Sequence, residues 1–116
     1  MNILAILKMA AAGVTALIGV ALIAAPWRVQ GFTGLEVENP RGITEMRAAM
    51  GGFYLGAGLA PLLFAAQAQP MYLLLGLTYA IVALVRLVGM FVDRSVTSSN
   101  VISLVSEAVL AAVLLV

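Results

Sequence analysis

Four runs of apolar residues account for most of this chain, and short polar segments separate them. An α-helix needs about 20 apolar residues to cross the hydrocarbon core of a bilayer. We therefore predict an all-α, polytopic integral membrane protein, an antiparallel bundle of four transmembrane helices, because brief connections make neighbouring helices antiparallel. The chain is predicted to form a single transmembrane domain, residues 1–116, with helices at 3–25, 45–66, 71–92 and 99–116 and a loop at 27–44 that is richer in glycine and charge.

The first apolar run also has some features of a secretory signal, with Lys8 as its basic residue. We expect the run to be retained as a helix, because it is longer than the apolar part of a typical signal and Pro26 directly follows the Ala24-Ala25 pair. With four spans, both termini then lie on the same side of the membrane.

The composition supports the membrane class and excludes others. The chain is 64% hydrophobic and 9% charged, whereas a soluble domain is about 45–50% apolar and about 25% charged. The net charge of +1 and the lack of a basic face exclude a nucleic-acid partner. The sequence has no Cys and no His, so thiol chemistry and the usual zinc or haem ligands are missing, and we predict no cofactor and no metal site.

Each predicted helix carries one stripe of small or polar residues among large apolar ones. On the third helix these residues recur every seven positions, which is one helix face. Membrane helices pack through small residues and turn polar groups toward one another, so we expect the stripes to face the bundle interior. The stripes comprise Lys8, Ala12, Thr15 and Gly19; Arg47, Gly51, Tyr54, Gly58 and Pro61; Tyr72, Tyr79, Arg86 and Asp93; and Asn100, Ser103, Glu107 and Ala111.

Arg86 and Glu107 are the charges that lie deepest in the apolar runs. Arg86 precedes Asp93 by seven residues and Glu107 follows Ser99 by eight. At the rise of an α-helix, both lie about 10–12 Å below the same end of the bundle. A charge at bilayer depth normally faces a partner or a cavity, and we predict that the two residues form a direct or single-water-bridged pair.

Two interpretations of this polar centre are open. In the first, a locked ion pair fixes the register of the helices. In the second, a polar pocket holds a lipid headgroup or another anion, and free N–H groups and the helix dipole at the start of the second helix favour the negative charge. The candidate ligand site comprises Arg47, Tyr54, Tyr79, Arg86, Asp93 and Glu107.

Four glycines cluster in the first half of the second helix: Gly51, Gly52, Gly56 and Gly58. Gly52 and Gly56 form a small-xxx-small step, which allows close contact between helix backbones within the bundle or in a dimer. We expect these glycines to serve helix packing within the bundle.

The second helix also carries a run that resembles a known family. The run at residues 45–56, EMRAAMGGFYLG, and the later Arg86, Asp93 and Glu107 are similar to the pattern of the small bacterial membrane proteins grouped as DUF4345. The resemblance covers the second to fourth helices, with one departure, because Arg94 follows Asp93 where the family pattern leads us to expect Gly. It implies a four-helix fold with no established activity, and importance for Arg47, Arg86, Asp93 and Glu107.

The distribution of charge predicts an orientation. We expect the protein to lie in the bacterial inner membrane. Most charges lie on the side that carries segments 28–45 and 93–98. By the count of Lys and Arg, the positive-inside rule assigns that side to the cytoplasm.

Three functions are compatible with these patterns, and we rank them. The first is a small non-catalytic integral membrane protein, an accessory or scaffold subunit that packs with larger partners or with itself. The alternative is an anion- or lipid-headgroup-binding or transport module built around Arg86 and Glu107, in which transport would require an oligomer. An enzyme acting on a lipid ranks last, because the chain has no Ser/His/Asp set and no carboxylate pair on one helix. The expected partners are membrane lipids and a membrane protein or a second copy, with no nucleic acid.

Overall fold

The chain folds into helices whose boundaries follow its prolines, glycines and capping residues. The computed structural model describes residues 1–116 and is all-helical, with 86% of the residues in helices and no strand. The α-helices are α1 (Ile3–Ala24), α2 (Pro26–Thr33), α3 (Pro40–Glu45), α4 (Gly52–Leu63), α5 (Ala68–Val92) and α6 (Ser98–Leu115). A π-helical stretch, Met46–Gly51, joins α3 to α4, and a 3₁₀ turn, Ala65–Gln67, precedes α5.

Polar side chains cap three of the helices. The Asn2 side chain accepts a hydrogen bond from the Ala5 N–H at 2.8 Å before α1. The Thr97 side chain accepts one from the Asn100 N–H at 3.3 Å before α6, and Asn39 caps α3 in the same way. Each cap satisfies an N–H group that has no partner inside its helix, so these boundaries are encoded locally.

The segment between the first two long helical runs is more helical than the sequence predicts. The predicted loop at 27–44 contains most of α2 and of α3. Pro26 and Pro40 lie in the first turns of these helices, where a missing N–H costs nothing. Gly34 ends α2 with a φ of 75°, a left-handed conformation that favours glycine. The second long helical run therefore begins at Pro40 and not at Glu45.

The π-helical stretch interrupts this second run without ending it. The backbone keeps right-handed helical angles at both junctions, Met46 and Gly52, and the Gly52 N–H bonds to the carbonyls of Ala48 and Arg47. Helical backbone thus continues through α3 and α4. Three uninterrupted helical segments are long and apolar enough to cross a membrane: α1, α5 with its 3₁₀ turn, and α6.

The long helices pack mainly as two antiparallel pairs, α1 with α4 and α5 with α6. In the first pair, Gly58 lies against Ala12 and Ala16, while Gly19 lies against Gly51, so residue numbers rise along one helix and fall along the other. A Cβ atom at Gly58 or Gly19 would overlap the backbone of the facing helix. These two glycines therefore permit the close approach of the helix axes.

A small core joins the two pairs, and most large apolar side chains lie on the outer surface. Only 20 of the 116 residues are buried, so the outer surface is far more apolar than that of a monomer in water. This surface and the three apolar helices are consistent with a membrane protein. The core comprises Ala11, Ala12, Tyr72, Leu75, Tyr79, Ala111 and Leu114.

The four glycines that we expected to pack within the bundle lie on two different faces. Gly51 and Gly58, seven residues apart, are buried against α1. Gly52 and Gly56 are exposed, and a Cβ atom at either would meet no atom of another helix within 4 Å. The expectation is therefore wrong for Gly52 and Gly56, because they lie on another face of the helix, about 100° and about 140°, respectively, around its axis from Gly51.

Candidate functional site

A bidentate ion pair joins Arg86 of α5 to Glu107 of α6. The Arg86 Nη2 lies 2.6 Å from Glu107 Oε1, and the Arg86 Nε donates to Oε2 at 2.8 Å. The side chains are 30% and 12% exposed, respectively. The planar guanidinium fork matches a carboxylate in this geometry, and the pair connects α5 to α6.

Asn100 connects this pair to the turn between the two helices. Its Oδ1 accepts a hydrogen bond from Arg86 Nη1 at 3.0 Å, and its Nδ2 donates to the Ser95 carbonyl at 2.8 Å. The sequence puts Asn100 on the polar stripe of the last helix but does not identify it as a site residue. Its place on the same predicted stripe as Glu107 could have indicated a contact with Arg86. The position of the Ser95 carbonyl, in the connection between the helices, could not be predicted from the sequence.

The α5–α6 connection has a Schellman geometry, which accounts for the glycine expected from the family pattern at position 94. Ser95 N–H bonds to the Met90 carbonyl at 2.9 Å, and Arg94 N–H bonds to the Phe91 carbonyl at 3.4 Å. Arg94 has a φ of 51°, in the left-handed region. A helix commonly ends with glycine at this position because glycine has no Cβ to collide with the backbone. Arg94 thus occupies the position where the family pattern led us to expect Gly.

A cavity of about 440 Å³ opens beside the ion pair, at the end of α5 and the start of α6. Its polar lining residues include Arg86, Asp93, Ser95 and Asn100. Arg86 uses three of its five N–H groups within the chain, which leaves two for a ligand. Glu107 neutralises Arg86, and the exposed Asp93 then makes the local formal charge −1, which disfavours a simple anion.

Tyr54 and Tyr79 lie together in a second, more apolar cavity and not in the one beside Arg86. This cavity has a volume of about 200 Å³. The Tyr79 hydroxyl is 2.6 Å from Thr15 Oγ1. Thr15 donates its own proton to the Ala11 carbonyl at 2.9 Å, so Tyr79 is the donor in its bond with Thr15. The sequence did not identify Thr15 as a partner, although both residues belong to predicted inward stripes.

Arg47 is exposed and lies apart from the ion pair. It lines a cavity with the residues that precede and form α3, including Glu38 and Asn39. The expectation that Arg47 shares a pocket with Arg86 is therefore wrong. Arg47 belongs to the π-helical stretch, in which residues five apart bond to one another. Met46 and Gly51, which are five apart, are the buried residues of this stretch. Arg47 lies on its exposed side.

Arg86 and Glu107 are thus in direct contact, and Asp93 lines the cavity beside them. Tyr54 and Tyr79 line a neighbouring cavity, close enough to interact electrostatically with Arg86 and Glu107, respectively. Of the six candidate site residues, Arg47 lies apart. No three His, Cys, Asp or Glu side chains lie close enough together to hold a metal ion. What remains is a charge pair that is satisfied within the chain, with a small polar cavity beside it.

These observations define an all-helical protein, with three helices long and apolar enough to cross a membrane and a polar centre between the last two. The family model described as a domain of unknown function, DUF4345, matches residues 3–116, so this chain belongs to the DUF4345 family. The resemblance of the run at residues 45–56 is confirmed, and the match extends over α1 as well. No curated protein and no solved structure matches the chain.

Proposed function

We propose that this protein is a small, non-catalytic integral membrane protein that acts as an accessory or scaffold subunit. In this role it packs in the bilayer with further copies of itself or with larger membrane proteins. The observation that carries the proposal is the bidentate pair of Arg86 with Glu107. A carboxylate whose two oxygens both accept from an arginine is suited to holding helices together and poorly suited to taking up a proton from a substrate.

Four membrane spans are part of the proposal. The helical run through α3, the π-helical stretch and α4 is about 35 Å long, which exceeds the roughly 30 Å thickness of the hydrocarbon core. Its glycine-mediated contact with α1 supports a shared membrane depth for the two helices. In that arrangement the Arg86–Glu107 pair is an intramembrane ion pair within a four-helix bundle.

The outward face of the second run supports contact with another protein. Ala48, Gly52 and Gly56 recur at four-residue intervals and are exposed. Apart from the chain neighbours and the backbone of the same helix, no atom lies within 4 Å of a Cβ built on either glycine. A stripe of small residues allows the backbone of a second helix to approach closely. Contact with lipid tails does not require such a stripe.

Cysteine cross-linking in native membranes tests whether the protein associates with further copies of itself. The chain has no cysteine, so Ala48→Cys adds a single thiol to the small-residue face, and Val109→Cys adds one to an exposed position of α6 as a control. We expect a disulfide-linked dimer for the first variant only. In the Ala48→Cys background, Gly56→Leu should abolish the dimer, while Gly13→Leu, at another open glycine position, should not.

Copurification in mild detergent tests whether the protein associates with a larger membrane protein. If no dimer forms, a membrane protein recovered in a stoichiometric amount, and lost in the Gly56→Leu variant, supports the accessory role. A chain that neither cross-links nor copurifies with a protein would require the scaffold proposal to be abandoned.

The cavity beside the ion pair supports a second candidate, a site for a lipid headgroup. Arg86 has two free N–H groups there, and Asp93 contributes a carboxylate. A zwitterionic headgroup, which carries both a phosphate and an amine, matches this mixture better than a simple anion. A transport role would add the requirement of an oligomer.

Filling the cavity tests the headgroup site. Gly89 lines the cavity, and a Cβ there meets only Asp93 Oδ2, at an ordinary contact distance of 3.6 Å. Gly89→Leu should reduce the zwitterionic lipid retained in native mass spectrometry without separating Arg86 from Glu107, and Gly13→Leu should leave it unchanged. Equal lipid retention in both variants would refute the headgroup site.

The orientation in the bacterial inner membrane is the last part of the proposal. The end that carries the α5–α6 connection should face the cytoplasm, because most Lys and Arg residues lie there. A Ser95→Cys variant should react with a membrane-impermeant maleimide in inverted vesicles and not in spheroplasts. The reverse labelling would overturn this orientation.

A further inference from the structure

Lys8 is a buried cation for which the chain provides almost no partner. Its residue is only 6% exposed. The one hydrogen bond of its Nζ runs to Gln69 Oε1 at 3.5 Å, which is longer than the usual range of about 2.7–3.2 Å. An ammonium has three N–H donors, so two remain for another acceptor.

The Lys8 side chain lines a cavity at the end of the bundle opposite the Arg86–Glu107 pair. Side chains on a helix lean toward its N-terminus, and the cavity includes Asn2 and Ala5, which lie about one turn or more before Lys8. Its volume of about 360 Å³ falls within the range of small-molecule sites, roughly 300–1,000 Å³. The cavity therefore lies at the start of α1 and of α5.

The lining of this cavity carries a net positive charge, whereas in the cavity beside Arg86 the carboxylate of Asp93 offsets the arginine. None of the nine residues that line it is acidic, so no carboxylate offsets the Lys8 ammonium. Neither of the two ion pairs in the chain involves Lys8. The N-terminus of the long helix α1 adds partial positive charge at the same end. Tyr72, which is buried, also lines the cavity.

We propose that Lys8 and Gln69 bind a phosphate group in this cavity, carried by a lipid headgroup or by a free phosphate. A phosphate oxygen accepts the unused Lys8 N–H groups, and Gln69 can turn its amide to donate an N–H as well. A buried cation without an acidic partner is costly. A bound phosphate provides the negative charge that no side chain of the cavity provides. The proposal does not depend on the scaffold function or on the site beside Arg86.

A nuclear magnetic resonance experiment on the unaltered chain gives the direct test. Lys8 is the single lysine of the sequence, so ¹⁵N-lysine labelling yields one ammonium signal. The protein is prepared in a phosphorus-free maltoside detergent, and one equivalent of phosphatidylglycerol or of inorganic phosphate is added. We expect ¹⁵N–³¹P dephasing that places phosphorus within about 4 Å of Nζ, as a charge-assisted hydrogen bond requires. No dephasing in either sample would overturn the proposal.

The two samples distinguish the two sources of phosphate. Dephasing with phosphatidylglycerol alone identifies a lipid headgroup, and dephasing with inorganic phosphate identifies a free phosphate site.

Variants of Lys8 then measure how much its charge contributes to binding. Lys8→Gln should weaken binding of the effective ligand about ten-fold or more, because a charge-assisted hydrogen bond is lost. Lys8→Arg should retain most of the binding, and Arg28→Gln, which removes an exposed cation elsewhere, should leave it unchanged. Equal affinity of the Lys8→Gln variant and the parent would contradict the proposed role of Lys8.

Discussion

Removing one charge of the Arg86–Glu107 pair should destabilise the protein more than removing both. Glu107→Gln leaves Arg86 charged, and the new amide N–H group opposes an arginine donor. Breaking a fully buried pair costs about 3–5 kcal/mol. Because 30% of the Arg86 side chain remains exposed, we expect a smaller loss for this variant, about 2–3 kcal/mol.

The double variant Arg86→Met with Glu107→Leu should be close to the parent in stability. Apolar residues of similar volume replace both charges, so no unpaired charge is left behind, and such replacements are often neutral. Asn100 loses the donor on Arg86 but keeps its bond to the Ser95 carbonyl. We expect a change within about 1 kcal/mol of the parent, because the lost contacts are offset by apolar packing.

Reversible unfolding in detergent, followed by circular dichroism, provides the free energy of unfolding for all variants. The exposed pair of Arg41 with Glu45 supplies a matched control, because its side chains are 76% and 57% exposed. Glu45→Gln should change stability by less than about 0.5 kcal/mol. If the double variant is less stable than both single variants, the pair is not a structural contact of the kind described, and a ligand role for the two charges gains support.

Three further variants test local features by the same unfolding measurement. Arg94→Gly should stabilise the protein by about 0.5–1 kcal/mol, because glycine adopts the left-handed conformation without a steric penalty; a loss of stability would contradict this account of the α5–α6 connection. Gly58→Val should prevent the normal contact of α1 with α4 and strongly reduce stability, whereas Gly13→Val, at an open position, should have little effect; equal effects would refute the packing argument. Tyr79→Phe should cost about 0.5–1.5 kcal/mol through loss of its hydrogen bond to α1, and an unchanged stability would show that this bond contributes nothing.

The boundaries of the helices were partly predictable because their signals are local. The long apolar runs identify α1, α5 and α6 closely, since a continuous run of about 20 apolar residues indicates a membrane helix. The π-helical stretch was not predictable. It coincides with the contact of Gly51 against α1, and that contact depends on residues more than 25 positions away in the chain. The outward position of Arg47 follows from the π-helical stretch and was missed for the same reason.

The candidate site was predictable in depth along the helices but not in rotation about their axes. The matched depth of Arg86 and Glu107 follows from counting residues, and the structure brings the two side chains together. The pairing of Tyr79 with Thr15 depends on how α1 is arranged relative to α5, a helix that is not one of its main packing partners. A single sequence does not specify that arrangement, because each inward stripe has several neighbouring stripes available in a four-helix bundle.

A high-resolution density map of the purified protein in a lipid nanodisc would show directly whether Arg86 and Glu107 form a structural pair. We predict four helical segments across the bilayer, with the Arg86 guanidinium in direct contact with the Glu107 carboxylate inside the hydrocarbon region. Density for a bound molecule between these two groups, or either side chain turned toward lipid, would contradict the claim that this polar centre is a structural pair.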